Sequence, residues 1–337
     1  MKPASTGMDG TVVPLLTMFT KDYKIDLDAQ ILLTKHVLAN GADVLFLCGS
    51  TGEGQWLQRE RPAERAGLLE ATKEAMDGVK RRIPVIFGIY GNDVPEIIAQ
   101  YKEMLRMQEA GKAATIDGFV VSPPMKRKLA DAELDSFFTG IIAAIKEPVF
   151  IYNNPATFGE NNISVATYEA MIITFSHVHG IKDSSGSMDY RFDVLKMLEK
   201  HPEIAFYTGS EGDYFKCLEK RAPAASSKIG SIPSISNVLN IPARIRAAYL
   251  AGDVAGARKA QDDLNAIRNR IYHEPLTKGK AQRGTKHALA CLYPGTALDK
   301  DVVVIPDHVK EMTPDARKAI KDAVDEALQH GFVMRFK

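Results

Sequence analysis

Val44-Leu45-Phe46-Leu47-Cys48-Gly49-Ser50-Thr51-Gly52-Glu53-Gly54 joins five consecutive apolar residues to a polar turn punctuated by glycine. A helical pattern over Glu60–Asp77 comes next. A strand that is apolar at every position, not at alternate ones, is covered on both faces, as in parallel sheets. The same unit recurs along the chain. Further strand-like runs lie at Val12–Leu16, Pro84–Gly88, Gly118–Val121, Val149–Tyr152, His177–Ile181, Ile204–Thr208 and Ser226–Ile232. In the sixth of the eight, two histidines interrupt the apolar run. The remaining helical patterns are Asp26–Asn40, Pro95–Glu109, Ala130–Lys146, Val165–Phe175, Met188–Lys200, Asp213–Lys220 and Val238–Ala251. Asp26 is placed to cap the first helix, and Gly41 stands where a helix-ending glycine belongs.

Eight strand–helix units in about 250 residues match the rhythm of a (β/α)8 TIM barrel. An open doubly wound sheet is the alternative, because alternation alone does not show closure. The expected division is a flexible N-terminal tail over residues 1–10, a catalytic barrel over 11–252 and a C-terminal helical domain over 253–337. Gly252–Arg270, Lys278–Leu292 and Thr313–Gly331 read as the helices of that last part.

Composition excludes several classes. The chain has 337 residues, with 43 basic against 42 acidic, so no net field draws it to nucleic acid or an anionic membrane. Cys48, Cys217 and Cys291 are widely spaced and odd in number, which fits free thiols in a reducing compartment. The first ten residues lack a signal-peptide core, and no apolar run has membrane-spanning length. A soluble, cytoplasmic protein is expected. The eight histidines are scattered, so no metal site is expected. Gly279–Lys286 has P-loop glycine spacing but follows no strand, Gly49–Gly52 is not a dinucleotide fingerprint, and Gly-x-Ser-x-Gly is missing.

Active sites of such barrels form at the C-terminal ends of the strands. The second strand ends in Gly49-Ser50-Thr51-Gly52-Glu53, the fifth in Tyr152-Asn153-Asn154-Pro155, and the sixth in Lys182-Asp183-Ser184-Ser185-Gly186. One rim thus offers a hydroxyl-bearing glycine turn, a phenol and an amine. An amine drawn into an apolar barrel mouth loses hydration, which favours its neutral, nucleophilic form. It can then add to a ketone as a Schiff base. A phenol beside it can carry protons, and turn N–H groups with the Ser50 and Thr51 hydroxyls can hold a keto-acid carboxylate. Taken singly, the glycine turn reads as a tight connection, Tyr152 as a rim aromatic and Glu53 as a brace for the next turn.

These motifs resemble the dihydrodipicolinate synthase/N-acetylneuraminate lyase family of pyruvate-dependent class I aldolases. The resemblance rests on Gly49-Ser50-Thr51-Gly52-Glu53, Tyr152-Asn153-x-Pro155, Gly180-Ile181-Lys182-Asp183-Ser184-Ser185-Gly186, and Gly230-Ser231-Ile232 with Asn237. It implies Lys182 as the Schiff-base lysine and Tyr152 as the proton shuttle. Ser50 and Thr51 would hold the carboxylate and relay protons, with Gly49 in the same turn, and Ile232 would offer its backbone carbonyl to pyruvate. It also implies a barrel with a C-terminal helical domain, a homotetramer built as a dimer of dimers, and chemistry without cofactor or metal.

Departures from the family pattern concern the second substrate. Val121-Ser122-Pro123-Pro124-Met125-Lys126 lacks the tyrosine that synthases carry after the fourth strand. Thr157, in Ala156-Thr157-Phe158-Gly159, falls about where synthases place an arginine. Lys126 or Arg127 could restore positive charge, and Gly209-Ser210-Glu211-Gly212-Asp213 offers carboxylates to a polyol chain or merely caps a helix. The expected activity is cleavage or formation of a C–C bond between pyruvate and an aldehyde, within 2-keto-3-deoxy sugar acids. The alternatives are dihydrodipicolinate synthase, a dehydratase of 2-keto-3-deoxy acids and a non-catalytic keto-acid-binding homologue.

Overall fold

Eight parallel strands lie side by side in chain order in the computed structural model: β1 (Val12–Pro14), β2 (Val44–Leu47), β3 (Val85–Ile89), β4 (Gly118–Val121), β5 (Val149–Asn153), β6 (Val178–Asp183), β7 (Ala205–Thr208) and β8 (Ile229–Ser231). The structure describes residues 8, 10–109, 111, 113–220, 228–272, 281–300, 302–306 and 312–336. A parallel bridge between Thr11 and Ser231 brings the last strand back to the first. That contact, with sequential strand order, makes the sheet a barrel. A doubly wound sheet would reverse its order at a switch point.

The helices between the strands are α1 (Leu27–Ala39), α2 (Gly54–Glu60), α3 (Glu64–Met76), α4 (Val94–Glu109), α5 (Asp131–Ile142), α6 (Val165–Thr174), α7 (Met188–Met197) and α8 (Tyr214–Lys220). After β8 come α9 (Ile241–Leu250), α10 (Val254–Tyr272), α11 (Gln282–Leu292) and α12 (Pro314–Gln329). The Asp26 side chain accepts from Ala29 N as the cap of α1.

Several boundaries differ from the sequence reading. The pattern expected as one helix over Glu60–Asp77 is two, because Pro62 keeps Arg61 out of the helical region (φ −140°, ψ 53°). β6 runs on to Asp183, so Lys182 lies inside the strand, not beyond it. α5 stops at Ile142, four residues before Lys146. α9 starts only at Ile241, with Pro242 in its first turn, after a 3₁₀ turn over Ser234–Asn237. The expected N-terminal tail lies almost wholly outside the described residues, as do positions 226–227 of the eighth run and 278–280 of the predicted tail helix.

Strand periodicity sorts the side chains into two cores. Val44 and Phe46 point into the barrel with Ile86, Val120, Phe150 and Tyr207. Leu45, Leu47 and Ile151 point outward into the apolar layer beneath the helices. Ile267 of α10, Leu289 of α11 and Ile320 of α12 belong to that same outer layer. The C-terminal helices therefore pack on the barrel and reach the rim where the strands end.

Candidate active site

Along β6, Gly180 and Lys182 face the barrel interior while Ile181 and Asp183 face the helices. Gly180 is needed there: a Cβ would stand 2.8 Å from the Phe150 ring and 3.1 Å from that of Tyr207. Two residues on, Lys182 is only 4% exposed. Its Nζ lies 3.8 Å from the centroid of the Tyr152 ring and 5.1 Å from that of Phe46. Tyr152 is its register partner on β5. On the outward side, Asp183 accepts from Arg191 Nε at 3.0 Å and from Asn153 Nδ2 at 3.0 Å. This buried pair fixes the strand end that carries the lysine.

The Tyr152 hydroxyl lies 3.0 Å from Ser50 Oγ and accepts from Asn154 Nδ2 at 2.9 Å. Burial by itself pushes this phenol up. The Lys182 charge and hydrogen bonds with Ser50, Asn154 and Ser184 outweigh it and hold the group below the usual tyrosine range. An easily ionised phenol beside an amine is suited to passing a proton back and forth.

The glycine turn supplies the hydroxyls. Gly54 N closes it onto Gly49 O at 3.0 Å. Gly54 admits no side chain, since a Cβ would lie 1.9 Å from Cys48 O. Ser50 Oγ accepts from Gln55 Nε2 at 3.2 Å, and Thr51 Oγ1 is 2.6 Å from Ser234 Oγ. Glu53 takes the left-handed conformation (φ 57°), an unfavourable one for a residue with a side chain. Lys286 of α11 donates to its carboxylate at 2.7 Å, both side chains being buried, and Ile305 N donates at 2.9 Å. Gln282, one turn earlier on α11, donates to Ser50 O at 3.0 Å. The brace expected of Glu53 is thus a clamp from the C-terminal helices.

Lys182, Tyr152, Ser50, Thr51, Thr157, Gly209 and Ile232 all line one cavity of about 940 Å³. Gly49 closes the turn and is not among the lining residues. Lys126 reaches the cavity, whereas Arg127 lines a separate surface hollow. Of the two carboxylates after β7, Glu211 faces the cavity. Asp213 is taken up by Lys216 at 3.1 Å and Arg191 at 3.3 Å. Sequence reasoning missed Arg59 and Gln55 of α2, Arg268 and Tyr272 of α10, and Gln282. Gln55 and Arg59 lie on the helix that leads directly out of the glycine turn, a signal that could have found them, whereas Arg268, Tyr272 and Gln282 carry no local pattern because the fold brings them to the rim from a distant part of the chain.

His36 is buried between Tyr293 OH (2.7 Å) and Val238 O (3.2 Å), a structural role. The three cysteines are free, with Cys48 and Cys217 buried. Among the described residues no helix is long and apolar enough to cross a membrane.

The model of the dihydrodipicolinate synthetase family matches residues 7–302. The Escherichia coli K12 protein YagE, provisionally named a 2-dehydro-3-deoxy-D-gluconate aldolase, is 29% identical over 258 residues, 76% of this chain and 78% of its own. A 4-hydroxy-tetrahydrodipicolinate synthase of Agrobacterium fabrum is 27% identical over 329 residues, 96% of this chain and 99% of its own. The crystal structure of E. coli YagE with pyruvate superposes with a TM-score of 0.78 at 24% identity, over 96% of this chain and 99% of that one. A monomeric dihydrodipicolinate synthase variant gives a TM-score of 0.81 at 20% identity, over 97% and 98%. At such identities the superpositions speak for the fold. The match of the family model, which takes in every strand and the strand-end residues of the site, places this chain in the dihydrodipicolinate synthetase family.

Proposed function

We propose that the protein is a lyase that binds pyruvate as an imine on Lys182 and makes or breaks a C–C bond between it and an aldehyde, acting on 2-keto-3-deoxy sugar acids. The observation that carries the reading is a buried amine, 3.8 Å from the centre of the Tyr152 ring, at the floor of a polar-rimmed cavity. The family is one of class I lyases and aldolases.

In this reading the Lys182 nitrogen adds to the pyruvate ketone, and the carbinolamine loses water to give an iminium. Tyr152 donates the proton that the departing hydroxide needs. The Tyr152 phenolate then takes a methyl proton, which restores the phenol and gives an enamine, whose carbon adds to the aldehyde. The new alkoxide takes a proton from Tyr152, and hydrolysis frees the lysine. Ser50, Thr51 and the N–H groups of their turn hold the carboxylate, and the Ile232 carbonyl lies beside the bound keto acid. Thr157, Gly209 and Lys126 border the space for the aldehyde. The proposal includes chemistry without a cofactor and a homotetramer, both on the strength of the resemblance, and a cytoplasmic location, on the spacing and odd number of the cysteines.

The relative provisionally named a sugar-acid aldolase supports this substrate class. A second reading, dihydrodipicolinate synthesis, draws support from the Agrobacterium relative, which matches over nearly its whole length. Thr157 in place of an arginine weighs against it. A mass-spectrometric screen of pyruvate with sugar aldehydes and with aspartate semialdehyde separates the two. Condensation with glyceraldehyde-type partners is expected; product with aspartate semialdehyde alone would overturn the substrate assignment.

A further inference from the structure

Asn154 stands two residues beyond Tyr152, directly after β5, so its side chain returns to the same side of the chain as the phenol. Its Nδ2 donates to the Tyr152 oxygen at 2.9 Å. The turn that Asn154 opens does not need that side chain. The backbone carbonyl of Asn154 holds the turn, accepting from Thr157 N and Phe158 N at 3.0 Å each. Any residue would supply the carbonyl, and a half-buried asparagine kept for the turn alone could leave its amide to water. A second amide stands at the other end of the hydroxyl pair: Gln55 Nε2 donates to Ser50 Oγ at 3.2 Å, and Ser50 Oγ lies 3.0 Å from the Tyr152 oxygen. Each hydroxyl carries one hydrogen, and each oxygen already accepts one from an amide. Only one hydrogen fits between the two oxygens. The other is left for whatever fills the cavity, which Ser50, Gln55, Tyr152 and Asn154 all line. An amide N–H cannot accept, so Asn154 never draws the phenol's hydrogen to itself. Once that hydrogen has gone, the phenolate keeps two donors, Asn154 and Ser50, beside the Lys182 charge. Burial pushes the phenol up, and Lys182, Ser50 and Asn154 are among the neighbours that more than offset it.

We propose that Asn154 is a positioning residue for the proton transfers of Tyr152: its amide donates to the phenol oxygen, which leaves the phenol's hydrogen for Ser50 or the substrate and gives the phenolate a second donor besides Ser50. Its part in turnover rests on the reading of Lys182 as the imine-forming residue and of Tyr152 as its proton carrier. In that reaction the phenol O–H breaks as its proton joins the departing hydroxide to make water. The same oxygen then takes a methyl proton from the iminium, whose C–H pair becomes the C=C bond while the nitrogen takes up the π pair. Asn154 keeps its own protons throughout and touches no reacting atom other than the phenol oxygen.

A titration of tyrosinate absorbance without pyruvate tests the role, with Tyr152→Phe as the reference that identifies this phenol among the others. The titratable groups that face Tyr152 are Lys182 of β6 and Tyr90, directly after β3, and both are kept in every Asn154 variant. Asn154→Leu has nearly the same size and donates nothing, so the Tyr152 titration should move up by about one to two pH units, the worth of one hydrogen bond to a charged group. Asn154→Asp, which sets an acceptor of the same shape there, should move it up at least as far. With the phenol raised, less phenolate is present at neutral pH. Exchange of the methyl protons of saturating pyruvate for deuterium should therefore fall about tenfold in Asn154→Leu and recover as pH rises. Half-saturation by pyruvate and its trapping by borohydride should not change. A Tyr152 titration that stays in place or moves down in either variant overturns the proposal. So does weaker pyruvate binding with no shift, which would mark Asn154 as shaping the pocket only. Failure of the wild-type protein to trap pyruvate overturns the reading of Lys182 instead, and the titration still decides whether Asn154 holds the phenol.

Discussion

Lys286→Met tests whether the C-terminal helices hold the glycine turn in its working shape. Methionine fills nearly the same space but leaves the Glu53 carboxylate, whose side chain is wholly buried, without its cation. It also removes the 2.7 Å hydrogen bond from Lys286 Nζ to Val303 O. Removing one partner of a buried ion pair costs about 3–5 kcal/mol. With unfolding entropy of about 2.1 cal/mol/K per residue, a chain of 337 residues loses about 4–7 °C in Tm for that change. Glu53→Gln combined with Lys286→Met removes the stranded charge while keeping an acceptor for Ile305 N, and should recover at least half of the loss. The functional consequence is local: with the turn loosened, half-saturation by pyruvate in borohydride trapping should rise, while Lys182 itself stays reactive. The assays are a thermal melt and a trapping titration on the same three proteins. A single variant that melts within about 1 °C of wild type and traps pyruvate at wild-type concentrations would refute the clamp.

Two further outcomes follow from the geometry. Tyr152→Phe should lower turnover by about 10²–10⁴-fold while trapping of pyruvate persists; near-wild-type turnover in an aldol assay would remove the phenol from the mechanism. Burial lowers His36 to about 4 from 6.5, so the unfolded chain takes up its proton first and stability must fall as pH drops from 6.5 towards about 4. A shift of that size is worth about 3 kcal/mol, and chemical denaturation of wild type against His36→Gln across that window should show the acid-sensitive share only in wild type.

Much of the barrel and its rim is legible locally. A strand covered on both faces must be apolar throughout, so a polar stop such as Ser50 or Lys182 marks where it meets the cavity. Closure is not legible in this way, because it depends on Thr11, beside the first strand, meeting Ser231 of the last, far away in the sequence. The clamp is hidden for the same reason: Glu53 and Lys286 stand 233 positions apart, and each alone reads as an ordinary charged residue. Pro62 was a visible signal for the break between α2 and α3. The split between Glu211 and Asp213 was not visible, since it is Arg191, fixed by Asp183, that draws the second carboxylate away from the cavity. Tyr272 and Arg268 reach the mouth because α10 folds back over it, which helical periodicity alone does not reveal.

The central claim is covalent chemistry at one amine. Reduction by borohydride in the presence of pyruvate should add a single pyruvate-derived group, and peptide mapping should place it on Lys182. Lys182→Ala should take up none under the same conditions. Equal labelling of that variant, or a modified peptide from elsewhere in the chain, would contradict the account.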